Sequence, residues 1–315
     1  MTKILLVGDI HAADRPPSSV NEGYLDDIID LLNQVADLEK ELDADAVVWA
    51  GDVFNHKQPG RTSHQTVQRM IEVVQRHSNL WIVVGNHDIS NDRLESVLDK
   101  QPLGVLLRSG AEELNGWHPE LPLFGVPWQQ RWHHESVVWD AFEDWRGANE
   151  TGSTSRCLAV THAPIFPLDQ TPPYEYLDLD EIADAMEHKG YLYYGHIHED
   201  HGIYEHSGVS FANVGAISRG SLHEYNLSRK IQACLWTEEG FQTIELKAKP
   251  AEEVFKIAEA EAKKEESLSL DNFLAEVGSS TLDISSTESV TAHIMSMDLP
   301  SGVKKLAIEI LEESS

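Results

Sequence analysis

Five short stretches of the sequence gather side chains that bind metals: Asp9-Ile10-His11, Gly51-Asp52, Gly85-Asn86-His87-Asp88, His162 and Gly195-His196-Ile197-His198. A D-x-H or H-x-H pair spaces two donors at i and i+2, which on an extended backbone lie on one face. Asp offers a hard oxygen and His a borderline nitrogen, a mixture that suits Mn²⁺, Fe²⁺ or Zn²⁺ better than Ca²⁺. A carboxylate can bridge two such ions about 3.5–4 Å apart. The pair can then activate water and clamp both oxygens of an in-line phosphoryl displacement. One D-x-H alone means little, because a histidine at a strand end is more often a surface or core residue. Here each stretch follows an apolar run, and that coincidence points to metal chemistry.

The elements that must position these residues follow from the hydrophobic pattern. Apolar runs at Lys3 to Gly8, Ala46 to Ala50, Leu80 to Val84, Cys157 to Thr161 and Tyr191 to Tyr194 read as buried strands, each ending at one of the stretches. Tyr24 to Leu42 reads as an amphipathic helix, with Leu25, Ile28, Ile29, Leu32, Val35 and Leu38 at helical spacing, and Thr62 to His77 as a second. Shorter β-like runs follow near Ile203, Val209 to Val214, Ile231 to Trp236 and Phe241 to Leu246. This order predicts an α/β fold, a mixed β-sheet sandwich flanked by helices. Open α/β sheets carry their ligands at the carboxyl ends of strands.

The composition changes near Pro250. Residues 251–315 hold 14 acidic and 5 basic side chains, a local net of −9. Glu252 to Glu266 is rich in helix formers, and Gly278 to Ser289 reads as a Ser/Thr-rich linker. Val303, Leu306, Ala307, Ile310 and Leu311 recur at the spacing of a last amphipathic helix. Residues 1–248 are therefore expected to form one domain and residues 249–315 a helical C-terminal extension.

The whole chain has 315 residues, with 24 Lys and Arg against 53 Asp and Glu, a formal charge of −29. Two cysteines provide no disulfide framework, and no apolar run reaches the roughly 18–20 residues that span a bilayer. With no signal segment expected at the N-terminus, cytoplasm is the expected compartment and no membrane partner is expected. The negative charge argues against direct grip on nucleic acid. Only three acids, Asp9, Asp52 and Asp88, belong to the candidate site, so metal ligation explains little of it.

The series D-x-H, G-D, G-N-H-D, H, G-H-x-H resembles the signature of the calcineurin-like metallophosphoesterases, over about residues 1–245. That resemblance implies a four-layer α/β/β/α sandwich and two divalent ions, Mn²⁺ first among Fe²⁺, Zn²⁺ and Mg²⁺. It assigns Asp9, His11, Asp52 and His198 to one ion, and Asp52, Asn86, His162 and His196 to the other, with Asp52 as bridge. It makes His87 the catalytic histidine, oriented by Asp88, and a metal-bridging hydroxide the nucleophile.

Gly51-Asp52-Val53-Phe54-Asn55-His56-Lys57-Gln58-Pro59 is similar to a segment of the SbcD-type nuclease subunits of double-strand-break repair. Those enzymes cut DNA with Mn²⁺ beside an SMC-like coiled-coil ATPase. Some carry a DNA-contacting His directly after the Phe. This chain has Asn55 there and His56 next, so His56 is the candidate contact. The resemblance implies a DNA exonuclease or endonuclease subunit, a minimal form like those phages encode, in which case the compartment is the host cytoplasm. Leu306, Ile310 and Leu311 are its candidate ATPase contacts, and self-packing of that helix is the alternative. No G-x-x-x-x-G-K-[ST] loop is present, so ATP chemistry would come from the partner. A more basic partner would also supply most of the grip on DNA. Asn213-Val214-Gly215-Ala216-Ile217-Ser218-Arg219 resembles a segment of small phosphodiesterases in the same superfamily, which makes Arg219 a candidate phosphate contact and a cyclic-nucleotide phosphodiesterase or phosphatase the alternative function. A scaffold holding the ATPase is a third reading, against which the complete ligand set stands. A homodimer is also implied, for which the helix Tyr24 to Leu42 offers one face if that face is not core. The tryptophans at 117, 128, 132, 139 and 145 read as core or lid packing, with base stacking as the functional alternative.

Overall fold

Apolar runs too short to be helices build the centre of the protein. Ile4–Val7 (β1), Ala46–Trp49 (β2) and Leu80–Ile82 (β3) pair in parallel, and Ala111–Glu113 (β4) continues the sheet beyond β3. The structure is a computed structural model. It describes residues 1–56, 58–89, 100–149, 156–167, 172 and 175–259, with isolated positions at 262, 295, 304, 305 and 308. Gln232–Thr237 (β11) lies antiparallel to β1, and Gly240–Glu245 (β12) closes that edge, giving the order β12-β11-β1-β2-β3-β4. The second sheet contains Gly116–Trp117 (β5), Leu123–Val126 (β6), Leu158–His162 (β7), Tyr191–Gly195 (β8), Asp200–His206 (β9) and Val209–Val214 (β10). Its order is β5-β6-β7-β8-β10-β9, with β6, β7, β8 and β10 parallel and both edge strands antiparallel.

The strands of β1 and β2 are fully buried because both faces are covered. Ile4, Leu6, Ala46 and Val48 meet Leu158, Val160, Tyr193 and Val214 in one cluster, the core between the two sheets. Leu5 and Val7 alternate to the opposite face, towards the helices. Each aliphatic side chain so buried stabilises the fold by about 1.5–3 kcal/mol. Tyr24–Leu42 (α1) spans the expected residues. It enters after Gly23 in the left-handed region (φ 94°), carries Asp26 and Asp27 in its first turn, and buries Ile28, Ile29, Leu32 and Val35. Its apolar stripe is thus core of its own chain, not a dimer face. His64–Val74 (α2) is shorter than the expected Thr62 to His77. Ser63 stands outside the helix, where its Oγ accepts from the backbone N–H of Thr66 at 3.2 Å. Pro102–Leu107 (α3) follows further along. Outside the second sheet, Glu135–Ala141 (α4), Glu143–Asn149 (α5) and Leu179–Ala185 (α6) pack over Phe124, Phe142, Trp145 and Leu192. The result is two mixed sheets flanked by helices, as expected.

The chain divides into two compact units, Met1–Phe255 and Lys256–Ser315. Residues 249–255, placed with the extension from composition, belong to the first unit. Ala251, Val254 and Phe255 are buried, the Asn21 N–H donates to the Val254 carbonyl, and Val20 bridges Phe255. Phe255 is extended, so the helix expected from Glu252 is interrupted after Val254: burial of a phenyl ring outweighs local helix propensity. The Ser/Thr-rich stretch and Leu306, Ile310 and Leu311 lie outside the described residues. Among the described residues, no helix is long and apolar enough to cross a membrane.

Candidate metal centre

The parallel order of β1, β2 and β3 puts their carboxyl ends on one edge, and β7 and β8 do the same in the second sheet. Asp9 and His11 leave β1, Asp52 leaves β2, and Asn86 and His87 leave β3. His162 ends β7, and His196 and His198 leave β8. The sheets touch at this edge: His162 Nδ1 lies 2.7 Å from the Ala50 carbonyl oxygen. Space here is so tight that glycine is required. A Cβ on Gly51 (φ 101°) would sit 2.3 Å from His162 Nδ1, and one on Gly85 would sit 2.3 Å from Asp52 Oδ1.

The ligands do not share one face of extended strands, as the i, i+2 spacing suggests. His11 (φ 51°), Asp52 (φ 47°) and His196 (φ 84°) adopt left-handed backbone, so tight turns aim them. The turns separate the H-x-H pair. His198 joins Asp9 and His11, whereas His196 joins Asp52 and His162, the donor atoms of each trio lying within 4.8 Å of one another. Asp52 serves both trios with different oxygens. Its Oδ2 is 3.7 Å from His11 Nε2 and its Oδ1 is 3.4 Å from His162 Nε2. Asn86 Oδ1 stands 3.0 Å from His162 Nε2 and 2.9 Å from His196 Nδ1. The proposed ligands therefore all converge, with Asp52 between two groups.

The donor set fits divalent cations. Among the described residues Asp9 Oδ2 is buried without a hydrogen bond of good geometry, and it faces imidazole nitrogens, His198 Nε2 at 3.3 Å and His11 Nε2 at 3.7 Å. Buried polar atoms of this kind need a partner. Burial alone would favour neutral carboxyls, yet the charge of His162 together with the facing imidazoles of His11 and His198 for Asp9, and of His11 for Asp52, holds both acids below the usual carboxylate range. Against its own burial, His162 is pushed up to about 9 by Asp52 and Asp9. Burial and the His162 charge push His196 down to about 3. Two ionised acids thus create a strong demand for positive charge. Since the Ala50 carbonyl only accepts, His162 Nδ1 carries a proton and directs Nε2 to the site.

His87 reaches the same centre, grouped with His11 and Asp52. Its Nδ1 is 2.8 Å from the Asn55 carbonyl oxygen, so Nδ1–H donates there and Nε2 faces the site. This corrects the role expected of Asp88. Asp88 accepts from the N–H groups of Val53 at 2.9 Å, Phe54 at 3.2 Å and Gly85 at 3.0 Å, and so ties two ligand-bearing loops together. Burial and the Asp52 charge push its carboxyl up to about 7. The phosphate contact expected of Arg219 is also displaced. Arg219 is buried and its Nη2 donates to the Lys249 carbonyl at 2.7 Å, so it braces the chain end of the first unit. His56, expected to touch substrate and not metal, is half-buried and belongs to none of the ligand groups among the described residues.

Sequence reading missed the braces. The Trp128 ring lies 4.8 Å from that of His196, and Trp132 Nε1 donates to the His162 carbonyl at 3.2 Å. Trp117 and Trp145 stack in the core. Only the crowding of tryptophans signalled this, without a period to separate brace from core. A cleft of about 510 Å³ opens along Ile89, Trp128, Gln129 and Asp140, and another of about 430 Å³ along Phe166, His196, His198 and Tyr225.

Paired sheets with a His/Asp cluster at one carboxyl edge define a metallophosphoesterase sandwich. A model of the calcineurin-like phosphoesterase family matches residues 2–200, a span holding every one of these ligands, and the chain belongs to that family. Among solved structures, the fold is similar to a dimetal phosphatase from Danio rerio, with a TM-score of 0.50 and 13% identity over 78% of this chain and 99% of that one. No curated protein sequence matches the chain.

Proposed function

We propose that this enzyme is a two-metal phosphodiesterase, and specifically a Mn²⁺-dependent DNA nuclease subunit of the SbcD type. One observation carries the diester reading. One cleft is lined by His196 and His198 themselves, and a second is lined by Trp128, whose ring lies 4.8 Å from that of His196. A diester carries a group on each side of phosphorus, and each cleft offers room for one. Asp9, His11, Asp52 and His198 would hold one ion, and Asp52, Asn86, His162 and His196 the other. When bound, such ions supply Lewis acidity towards the phosphoryl oxygens and water. The protein's own contribution is positioning and proton transfer. His87, fixed through Nδ1–H by the Asn55 carbonyl, would in its imidazolium form present Nε2–H to the leaving oxygen and pass that proton to it, leaving the ring neutral. Trp128 and Trp132 keep His196 and His162 aimed.

The G-D-V-F-N-H-K-Q-P segment supports DNA as the substrate, and residues 256–315 forming a unit of their own support an SMC-like ATPase as partner. The test is hydrolysis by the full chain with MnCl₂ of linear DNA and bis(p-nitrophenyl) phosphate against p-nitrophenyl phosphate. Cleavage of DNA and preference for the diester are expected. Faster monoester hydrolysis with intact DNA would overturn the reading. The size of the clefts, within the range of about 300–1,000 Å³ usual for small ligands, favours a second reading as a small-molecule phosphodiesterase. Cyclic nucleotide turnover with DNA left intact would select it. Removing residues 256–315 should abolish ATPase capture while Met1–Phe255 remains folded.

A further inference from the structure

The cleft beyond His198 has walls unlike the rest of the site. Its floor is apolar, made by Phe166 and Ile197, each 6% exposed. Its side is made by His223 and Tyr225, whose rings stack at 5.7 Å with an interplanar angle of 13°. His223 is exposed and Tyr225 half-exposed. Glu199 adds one carboxylate, and Pro172, His196 and His198 complete the lining. A planar π-face, a greasy floor and one acceptor beside a phosphoryl site are the elements that bind a heterocyclic ring: every base has a face to stack, and base–aromatic stacking tolerates sequence. The cleft along Trp128 contrasts with this one, since Asp140 and Asp144 line it and the indole of Trp128 is engaged with His196.

We infer that the His223–Tyr225 pair, with Phe166, forms a subsite for the nucleobase of the nucleotide whose phosphate is attacked. This rests on the diesterase reading, which it deepens: two metal-site histidines line the pocket, so ring and phosphorus belong to one nucleotide. The base arrives either within DNA or on a free nucleotide, and the pocket recognises the same ring in both.

The test uses the full chain with MnCl₂. The ratio of kcat/KM for thymidine 5′-(p-nitrophenyl phosphate) over methyl p-nitrophenyl phosphate is measured in wild type, Tyr225→Ala, Tyr225→Phe and His223→Ala. Stacking predicts that the ratio falls about tenfold in Tyr225→Ala, through KM, and is retained in Tyr225→Phe. Calorimetric titration with thymidine 5′-monophosphate reads the subsite without turnover, and its affinity should fall by a similar factor in Tyr225→Ala. Single-stranded oligonucleotides against free nucleotide separate the two sources of the base. If neither the ratio nor the monophosphate affinity responds to Tyr225→Ala in a protein with wild-type melting, the subsite is wrong. If no diester is hydrolysed but monophosphate binding depends on Tyr225, the subsite stands and the diesterase reading fails.

Discussion

His11 and His198 are 187 positions apart in the chain, yet their Nε2 atoms lie 2.8 Å apart beside Asp9 Oδ2. Two imidazole nitrogens and a buried carboxylate aimed at one point form a cation site built by the fold. Loading it should stabilise the folded chain, because a ligand bound only by the native state adds RT ln(1 + [L]/Kd), about 2.7 kcal/mol at 100 Kd. The melting temperature should rise by several degrees when MnCl₂ is added to chelator-treated protein. His198→Ala should lose most of that rise, and metal analysis should read about one ion fewer per chain. An unchanged response in His198→Ala would remove it from the ligand set.

Asp52 and Gly85 make a second relationship that can be tested by adding one methyl group. A Cβ at position 85 would fall 2.3 Å from both the backbone nitrogen and Oδ1 of Asp52. Gly85→Ala must displace the carboxylate that serves both ligand groups. We expect a stability loss of about 1–3 kcal/mol from overpacking. We also expect a larger loss of metal affinity than Gly60→Ala shows, since a Cβ at Gly60 meets nothing within 4 Å. Parallel calorimetric Mn²⁺ titrations of the two variants would check this.

The convergence of the ligands was legible because each stands at or shortly after the end of a short apolar strand, as in Ile4–Val7 before Asp9 or Tyr191–Gly195 before His196. Parallel strands then bring those ends together without further information in the sequence. What was illegible has physical reasons. Ala111–Glu113 carries almost no apolar signal, and its pairing with β3 makes it a strand. Asp88 was misread because sequence adjacency to His87 suggested contact, whereas the turn points its carboxylate at three backbone N–H groups. Ala50 and Asn55 orient histidines through their carbonyls, which every residue type carries, so no side chain could mark them.

His87 and Asp88 should separate in kinetics. His87→Ala removes the proton donor, so kcat should fall by about 10²–10⁴-fold while bound metal stays constant. Asp88→Asn leaves His87 in place but replaces one acceptor oxygen with an NH₂ group facing N–H donors. That mismatch should cost about 1–3 kcal/mol of stability. The loss of activity should be smaller than in His87→Ala, because the Asn55 carbonyl still holds the imidazole. Steady-state kinetics with melting curves of both variants would decide it. A deeper kinetic defect in Asp88→Asn, at wild-type stability, would restore Asp88 as a direct partner of the reaction.

Far from the metal centre, Glu39 on α1 is 3% exposed and accepts from His77 Nδ1 at 2.6 Å and from the Ser78 N–H at 2.8 Å. Burial alone would raise its pKa, but these bonds hold its carboxyl below the usual range. A depressed folded-state pKa contributes stability that is present in full above the unfolded value, about 4.3, and disappears as pH falls through the folded value. Glu39→Gln keeps the shape and removes the charge, so it should cost about 1–2 kcal/mol near pH 7, the surplus of charge-assisted over neutral hydrogen bonds. Wild type and variant should converge as pH falls below about 4. Urea unfolding of metal-free protein at several pH values reads the difference directly. A gap that persists unchanged into acid would mean that the packing of Glu39 matters, not its charge.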